Sequence, residues 1–527
     1  MFIEDVVKET FKQLKELSDQ EEFAEFKSFG DFSTSLPLKQ AKKLKQKPDQ
    51  LAISWADKID VKGVTAKPTG GFINFFLDDE SIIHNLKHIR DFKPEKKTAI
   101  VEYSSPNIAK PFSIGHLRST VIGESIKRIY EILGWKVVGM NFIGDWGTQF
   151  GKLLLAYEMW PTELESEPIK KLLKLYVKFH EEAKKNPELE DGAREKFKRL
   201  EEGDRKVKKT WELFRKLSFK EFNRLYHLLG VSKLEDASES KFFSDGQKLA
   251  DRFLKEGIAE GSEGAVIIPV PNKPPLILRK SDGTTLYSTR DLAAGIWRYK
   301  KYHPDLMVYV VGNEQKLHFE QLIYSLKKAR VKAEINHVGF GMMRLPEGKM
   351  STRHGRVVFL EDVIDEATSK VRKIMKEREV DNESDIKKIG IGAIKFADLK
   401  INRNRDVLFN WKMLSFEGET GPYLQYTAVR AKRIGEKFGH GKAGITSKTR
   451  KLARKLVHFR MAVLDAKKYF RPDIIANYLI ELSQVFNEFY NSEEIKGNQE
   501  HEWLAGRVFE VLKTGLYLLG IEIPERM

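Results

Sequence analysis

The stretch TAIVEYSSPNIAKPFSIGHLRSTVIGESIKRIYEILGWKVVGMNFIGDWG, residues 98–147, decides the fold of this 527-residue chain. It opens with a β-rich apolar run at 98–104 and passes through a loop with two prolines into a segment with helical spacing of apolar residues. A second apolar run follows at 136–143. Strand, helix and strand in this order predict a βαβ unit with parallel strands.

The sequence as a whole predicts three domains, and the second of them contains this unit. Residues 1–91 combine helical patterns with a strand signal, GGFINFFL at 70–77, and end in a charged, proline-containing linker. Residues 92–384 continue the α/β pattern and include a charged helical insertion at about 160–260. Residues 385–527 are helix-periodic. We therefore predict a multidomain α/β protein. It consists of an α+β N-terminal domain, a parallel-sheet domain with a helical insertion, and an all-helical C-terminal domain.

The composition predicts a soluble intracellular protein. The chain has no cysteine, which excludes disulfides and thiolate zinc sites, and no structural metal is expected. No apolar run approaches the roughly 20 residues that cross a bilayer, and the N-terminus lacks the apolar core of a signal peptide. We expect a cytoplasmic protein without a membrane partner.

The charge distribution suggests a polyanion partner. The net charge is +16, and residues 430–460 contain 11 Lys and Arg against one acid, Glu436, a local charge of +10. Such a helical segment is typical of a nucleic-acid contact. The alternative is a solvated basic face.

The loop SSPNIAKPFSIGH, residues 104–116, is a candidate anion site. Ligands of open α/β sheets bind at the carboxyl ends of strands, and a helix N-terminus offers free N–H groups and a favourable dipole. Lys110 and His116 could point at a phosphate, and Gly115 permits close backbone approach. The structural alternative is a simple helix cap, because Ser113 is a good N-cap residue.

A second basic loop makes the anion interpretation more specific. GKMSTRHGR at 348–356 would by itself be equally a basic surface turn. Paired with a Gly-His helix start, it resembles the KMSKS signature that accompanies the HIGH signature in class I aminoacyl-tRNA synthetases. The stretches SSPNIAKP at 104–111, GDWGTQFG at 144–151, TLYSTRDLAA at 285–294, SFEGETGPYLQY at 415–426 and the terminal PERM resemble arginyl-tRNA synthetases in the same order.

The resemblance implies a Rossmann-type catalytic domain that uses ATP with Mg²⁺. Two positions depart from the family pattern: Ser113 replaces the first His of HIGH, and Thr352 replaces the second lysine of KMSKS. The family implies that Lys110 substitutes for that lysine. The implied catalytic residues are Lys110, His116 and Lys349, and the implied ATP-binding residues are Ser113, Gly115, His116, His318, Lys349, Ser351 and Arg353.

Arginine recognition requires carboxylates, because a guanidinium offers planar donors that pair best in a bidentate fork. Tyr287 and Asp291 are spaced i, i+4 on one helix face. An alternative for Asp291 is a capping box with Ser288. The resemblance implies five arginine-binding residues: Glu102, Asn107, Tyr287, Asp291 and Gln315.

The resemblance also implies contacts with tRNA(Arg) outside the catalytic domain. Phe72 and Asn74 match positions that contact the D-loop, although Phe72 could equally be a core residue. The helical C-terminal domain would bind the anticodon. The implied contacts there are Tyr423, Arg430, Tyr490 and the terminal Met527.

The implied reaction is ATP-dependent ligation of L-arginine to tRNA(Arg) by a monomer. Arginine is first activated as arginyl-adenylate and then transferred to the terminal adenosine. Two alternatives remain at this point: another adenylate-forming nucleotidyltransferase, or a tRNA-binding paralogue that has lost its chemistry. Ser113 and Thr352 are the features that would support the paralogue.

Overall fold

Residues Thr98–Glu102 form the central strand of a five-stranded parallel sheet. The computed structural model describes residues 1–18, 20, 24, 30–344, 357–377, 379, 381–408, 418–438 and 441–527. The chain forms two compact units. One comprises Met1–Lys93, Glu417–Tyr517 and Glu522–Met527, and the other comprises Pro94–Phe416 and Leu518–Ile521. The domain boundaries 91/92 and 384/385 stay predictions.

The sheet of the second unit has the order β11-β10-β4-β5-β6, with every neighbouring pair parallel. The chain moves outward from β4 through β5 to β6 and later returns to the opposite side of β4 as β10. The topological switch point therefore lies between β4 and β10, and ligands of open α/β sheets bind at the carboxyl ends of the strands there. This confirms the predicted Rossmann-type parallel sheet. The elements are β4 Thr98–Glu102, α5 Ile114–Ile132, β5 Lys136–Asn141, α6 Thr148–Met159, α7 Pro168–Lys185, α8 Glu188–Glu201, α9 Arg205–Leu228, β6 Glu235–Asp236, α10 Phe243–Lys255, β7 Glu260–Ser262, β8 Ala265–Val270, β9 Lys273–Arg279, α11 Tyr287–Tyr302, β10 Leu306–Tyr309, α12 Lys316–Lys328, β11 Glu334–His337, β12 Met343–Arg344, α13 Leu360–Glu377, α14 Glu383–Leu399 and β13 Val407–Leu408.

Helices α7 to α10 make up most of the predicted helical insertion, which also contains a short strand. Within 160–260, Glu235 and Asp236 form β6, which pairs with Met140 and Asn141 of β5 at the edge of the parallel sheet. Periodicity could not indicate this strand, because two residues are too few to show alternation. The insertion is thus joined to the catalytic sheet itself.

The first unit contains a three-stranded antiparallel sheet and a set of helices. Its strand order is β1-β3-β2, and Phe32 and Phe75 stack across β1 and β3 with ring centroids 4.8 Å apart. The elements are α1 Ile3–Ser18, β1 Phe32–Thr34, α2 Leu36–Leu44, α3 Pro48–Ala56, β2 Val64–Thr69, β3 Phe72–Leu77, α4 Asp79–Lys87, α15 Gly421–Phe438, α16 Arg450–Val457, α17 Phe459–Tyr469, α18 Pro472–Ser492 and α19 Gln499–Leu518.

Part of the basic segment 430–460 is internal to this unit. Arg460 is fully buried and pairs with Glu4 of α1, while Arg454 contacts Asp31 at 2.7 Å and Arg450 pairs with Asp79. These arginines therefore join the helices to the N-terminal region. Arg454 and Arg460 are neither nucleic-acid contacts nor a solvated face, because carboxylates neutralise their charges inside the protein, whereas the Arg450–Asp79 pair lies at the surface. Further ion pairs of the segment with local acids involve Lys432, Lys448, Lys451 and Lys455.

Within the described residues, no helix is both long and apolar enough to cross a bilayer.

Candidate active site

Two of the predicted arginine-binding carboxylates meet at the switch point of the sheet. Glu102 is the last residue of β4, and Asp291 lies in the second turn of α11. Both are almost fully buried, at 3% and 5% exposure. His318 at the start of α12 donates from Nε2 to Oδ2 of Asp291 at 2.8 Å, and the Tyr287 ring lies 4.9 Å from the imidazole. Three separate elements thus bring Glu102, Tyr287, Asp291 and His318 into one cluster.

Arg298 is a member of this cluster that the sequence reasoning missed. It is fully buried on α11, forms an ion pair with Glu102 and has Nη1 4.0 Å from Oδ1 of Asp291. Burial raises the pKa of Glu102 to about 7, Arg298 opposes that shift, and Asp291 adds to it. A sequence signal existed, because residues i and i+7 share a helix face and Arg298 follows Asp291 by seven positions.

The capping-box alternative for Asp291 is wrong. Helix α11 begins at Tyr287, so Ser288 is already inside the helix. Its hydroxyl donates to the backbone oxygen of Ile277 at 3.0 Å, and the Asp291 carboxylate turns toward His318 and Arg298. Both side chains are therefore committed to contacts other than a cap.

Asn107 and Lys110 are connected through a residue that the sequence did not single out. Gln149 accepts from Lys110 Nζ at 2.7 Å, and its amide Nε2 lies 3.4 Å from Asn107 Oδ1. Gln149 therefore bridges a predicted arginine-binding residue, Asn107, and a predicted catalytic residue, Lys110. A Cβ at Gly144 would lie 2.1 Å from Asn107 Oδ1, so a larger residue there would displace the Asn107 amide.

The loop after β4 is strained and braced. Three non-glycine residues have positive φ: Ser104 at 73°, Ser105 at 45° and Ala109 at 57°. Such conformations cost about 1–3 kcal/mol each and persist only where the surroundings fix them. Each backbone N–H is held by a side chain from another element, namely Ser119 Oγ at 2.9 Å, Asn141 Oδ1 at 3.0 Å and Ser218 Oγ at 2.8 Å.

Helix α9 of the insertion supports both loops of the site. Ser218 holds the loop after β4, and Tyr226 accepts from Asn141 at 2.9 Å. Trp211 donates to the backbone oxygen of Asp145 at 2.8 Å, and Arg215 contacts the Asp145 carboxylate at 3.1 Å. The insertion therefore contributes directly to the position of the predicted anion loop.

Helix α5 begins with the predicted N-cap, but the histidine also takes part. The backbone N–H of Ser113 donates to Nδ1 of His116 at 3.0 Å. Burial, with a smaller contribution from Lys110, lowers the pKa of His116 to about 4. Because Nδ1 accepts, the neutral imidazole carries its proton on Nε2, which can donate to a ligand. Cap and ligand contact are thus compatible.

Lys110 lines a polar cavity of about 310 Å³. Its ammonium lies 5.4 Å from the Tyr176 ring centroid. Lys152, on the first turns of α6, lines the same cavity and contacts Glu190 at 2.7 Å. Lys152 thus contacts a carboxylate, and Lys110 contacts the Gln149 amide.

The remaining predicted residues of the site are placed as follows. Gln315 ends a short 3₁₀ turn, Asn313–Gln315, after β10, and is partly exposed. Gly115 lies in the first turn of α5. The residues predicted from the KMS-like loop, Lys349, Ser351 and Arg353, lie outside the described residues, as does Thr352.

A second buried ion pair lies beside the cluster of Glu102, Asp291 and Arg298, and it too was not identified from the sequence. Arg290 contacts Glu239 at 3.0 Å, and both are largely buried. Burial raises the pKa of Glu239 to about 7, against the effect of Arg290 and helped by Asp145 and Asp291. The site therefore holds several carboxylates whose charges depend on neighbouring guanidinium groups.

Three residues predicted to contact the anticodon are grouped in the other unit. Asn487 of α18 accepts from Arg430 at 2.8 Å and donates to the Tyr423 hydroxyl at 2.9 Å. The Arg430 guanidinium lies over the rings of Tyr426 and Tyr490, 4.8 and 4.6 Å from their centroids. Tyr490 is 39% exposed, so the cluster presents an aromatic face to solvent.

The other predicted tRNA contacts differ in exposure. Phe72 is 38% exposed at the start of β3, so the core-packing alternative is wrong for it. Asn74 is buried at 7% exposure in the same strand, and Met527 is buried at 9%.

Among the described residues, no group of three or more His, Asp or Glu side chains is arranged to hold a metal ion.

Three family models match successive parts of the chain. Their descriptions are "Arginyl tRNA synthetase N terminal domain" for residues 1–77, "tRNA synthetases class I (R), catalytic domain" for 80–411 and "DALR anticodon binding domain" for 424–527.

Relatives and solved structures agree with these matches. The chain is 41% identical to an arginine–tRNA ligase of Clostridium acetobutylicum over 95% of this chain and 94% of the relative. It is also 41% identical to one of Clostridium perfringens over 94% of each chain. The crystal structure of arginyl-tRNA synthetase from Plasmodium falciparum superposes with a TM-score of 0.84 at 25% identity over 99% of both chains. The Thermus thermophilus arginyl-tRNA synthetase has the same fold, with a TM-score of 0.85 at 24% identity over 100% of both chains.

Proposed function

The chain belongs to the arginyl-tRNA synthetase family and is an arginine–tRNA ligase, and we propose which of its residues perform the two steps of the reaction. The substrate arginine occupies the cluster at the switch point of the sheet. Its guanidinium pairs with Glu102 and Asp291, because planar N–H groups and carboxylates make the strongest charge-assisted bonds. Tyr287, Asn107 and Gln315 complete the arginine site.

ATP binds at the loop between β4 and α5. Lys110 and the Nε2–H of His116 donate to its phosphates, with Ser113, Gly115 and His318 beside them. Because His116 is neutral at physiological pH, it supplies a hydrogen bond and Lys110 supplies the charge. Lys349, Ser351 and Arg353 contribute from the KMS-like segment. Mg²⁺ enters with ATP, held by phosphates and water.

The first step forms arginyl-adenylate. An oxygen of the arginine carboxylate attacks the α-phosphorus of ATP, and pyrophosphate leaves. No side chain acts as a nucleophile, so rate enhancement comes from alignment of the two substrates and from cations around the pentavalent phosphate. Gln149, which contacts both Asn107 and Lys110, holds the two substrate sites in register.

The second step transfers arginine to tRNA. The 2′-hydroxyl of the terminal adenosine attacks the adenylate carbonyl, and AMP leaves. The exposed Phe72 and the Tyr423–Arg430–Tyr490 cluster bind the tRNA through stacking and charge. Asn74 and Met527 were also predicted to contact the tRNA, but both are buried, so we assign them no direct contact. We propose that the enzyme acts as a cytoplasmic monomer.

One observation carries the assignment of the arginine site: two buried carboxylates from different elements converge at the switch point, next to the loop that holds Lys110. The test is arginine-dependent ATP–pyrophosphate exchange, measured with and without tRNA, on wild type and Asp291→Asn. Exchange should require arginine, and the variant should need far more of it.

Glu320→Gln is the matched control, because Glu320 lies on α12 and pairs with Lys273 at the surface. Its arginine KM should equal that of wild type. Exchange in Asp291→Asn at the wild-type arginine KM would refute the proposed arginine site.

A further inference from the structure

The guanidinium of Arg298 fills a position between the two proposed substrate carboxylates. Nη2 pairs with Oε2 of Glu102, and Nη1 lies 4.0 Å from Oδ1 of Asp291. The remaining nitrogen, Nε, donates to the Met140 sulfur at 3.1 Å. All three nitrogens therefore face protein groups, and none faces solvent, since the side chain is 0% exposed.

Aromatic rings hold the guanidinium in that position. Its central carbon lies 5.3 Å from the ring centroid of Phe142 and 5.3 Å from that of Tyr309. Cation–π contacts are stronger in such a desolvated place. Arg298 is therefore a fixed internal cation.

The cation affects the ionisation of the two neighbouring carboxylates. Two buried carboxylates side by side cannot both ionise cheaply, so one takes up a proton unless a cation is present. The substrate brings only one guanidinium. Glu102 already has a pKa near 7 while Arg298 lowers it, so removal of Arg298 would favour the protonated acid at neutral pH.

We propose that Arg298 is a positioning residue that neutralises one carboxylate charge of the Glu102–Asp291 pair, so that the pair presents one net negative charge to one incoming guanidinium. This inference rests on the proposed arginine site. Arg298 itself does not contact the substrate. It tunes the site for a ligand with a single positive charge on a planar group and against a neutral isostere.

Other titratable and charged groups face the cluster, and their protonation states also bear on the pH dependence. Tyr309 of β10, with a pKa raised by burial, stays neutral through the pH range of interest. Tyr287 also has a raised pKa, chiefly from burial. His318 packs on Asp291 from α12, and Glu239 with its partner Arg290 lies on the other side.

The test is the pH profile of kcat/KM for arginine between pH 6 and 9. In wild type, the protonated Glu102 of the free enzyme must lose its proton when the guanidinium binds, so kcat/KM should rise with pH through about 7. In Arg298→Met the midpoint should move upward by at least about one unit, because the cation that opposed protonation is gone. At pH 7, where half of Glu102 is ionised in wild type, an upward shift of one unit corresponds to about a fivefold increase in arginine KM.

Three comparisons separate charge from packing. The deficit of Arg298→Met should shrink to less than about threefold at pH 9, where Glu102 is ionised in both proteins. Arg298→Lys keeps the charge and should stay within about half a unit of the wild-type midpoint. Lys301→Met, on the exposed face of the same helix, should match wild type.

The outcomes are decisive in each direction. A deficit of equal size at pH 6 and pH 9, or a Lys variant that shifts as far as the Met variant, would overturn the inference and leave only a packing contribution. If Arg298→Met does not fold, Arg298→Gln supplies the uncharged variant with the same expected shift. A wild-type arginine KM in Asp291→Asn would instead overturn the proposed arginine site, so the two failures are distinguishable.

Discussion

Replacement of Lys110 by alanine tests the proposed phosphate contact most directly. Lys110 is half-buried, and its ammonium donates to Gln149 at 2.7 Å. On ATP binding the ammonium exchanges this neutral amide for a phosphate oxygen. The change in rate therefore reports the difference between the two contacts.

The magnitude follows from that exchange. A cation about 4 Å from one unit of developing negative charge contributes about 4 kcal/mol at the effective dielectric of a partly buried site. The lost amide contact offsets about 1 kcal/mol of this. About 3 kcal/mol remain, which corresponds to roughly a 150-fold fall in kcat.

The assay is single-turnover formation of arginyl-tRNA at saturating arginine, with tRNA affinity measured separately. Lys152→Ala is the matched control: Lys152 lines the same cavity, but its charge is already paired with Glu190 at 2.7 Å. It should lose less than about threefold, as expected for an interaction worth under 1 kcal/mol. A Lys110→Ala rate near that of wild type, or an equal loss in both variants, would refute the reasoning.

Three further perturbations test other parts of the molecule. Asp291→Asn should raise arginine KM at least about 30-fold, since a charge-assisted bond is worth about 2 kcal/mol, and leave ATP KM unchanged in steady-state aminoacylation. Arg118→Met removes the charged donor from three backbone carbonyls and leaves a buried aspartate unpaired, so the unfolding free energy of its unit should fall by about 3–5 kcal/mol; an unchanged unfolding midpoint in thermal denaturation would contradict this. Joint substitution of Arg433 and Lys442 by glutamine, both exposed in the basic segment, should reduce the slope of log Kd for tRNA against log salt by up to about 2. Lys451→Gln removes a lysine that is paired at 2.6 Å, so its slope should change less, and equal slopes for all variants would exclude this surface as the tRNA contact.

The sequence predicted the elements of the active site well because they are local. Apolar alternation and helical spacing identified β4, α5 and β5, and the i, i+4 spacing of Tyr287 and Asp291 placed both on one helix. The motif order identified the family. These signals depend only on neighbours along the chain.

The partners of those residues could not be read in the same way. Gln149 contacts Lys110, which lies 39 positions earlier in the chain. Arg298 pairs with Glu102, which lies on a strand nearly 200 residues before it. A charge count also treats Arg460 as available, although it is buried against Glu4. Sequence separation carries no information about such pairs.

The sequence by itself therefore determined the parallel sheet, and it predicted the candidate anion loop and the residue types proposed to recognise arginine. Only the tertiary structure decided which carboxylates face each other, which guanidinium lies between them and which basic residues remain exposed. The physical reason is that backbone periodicity is local, whereas the charge state of a buried group depends on every element packed against it.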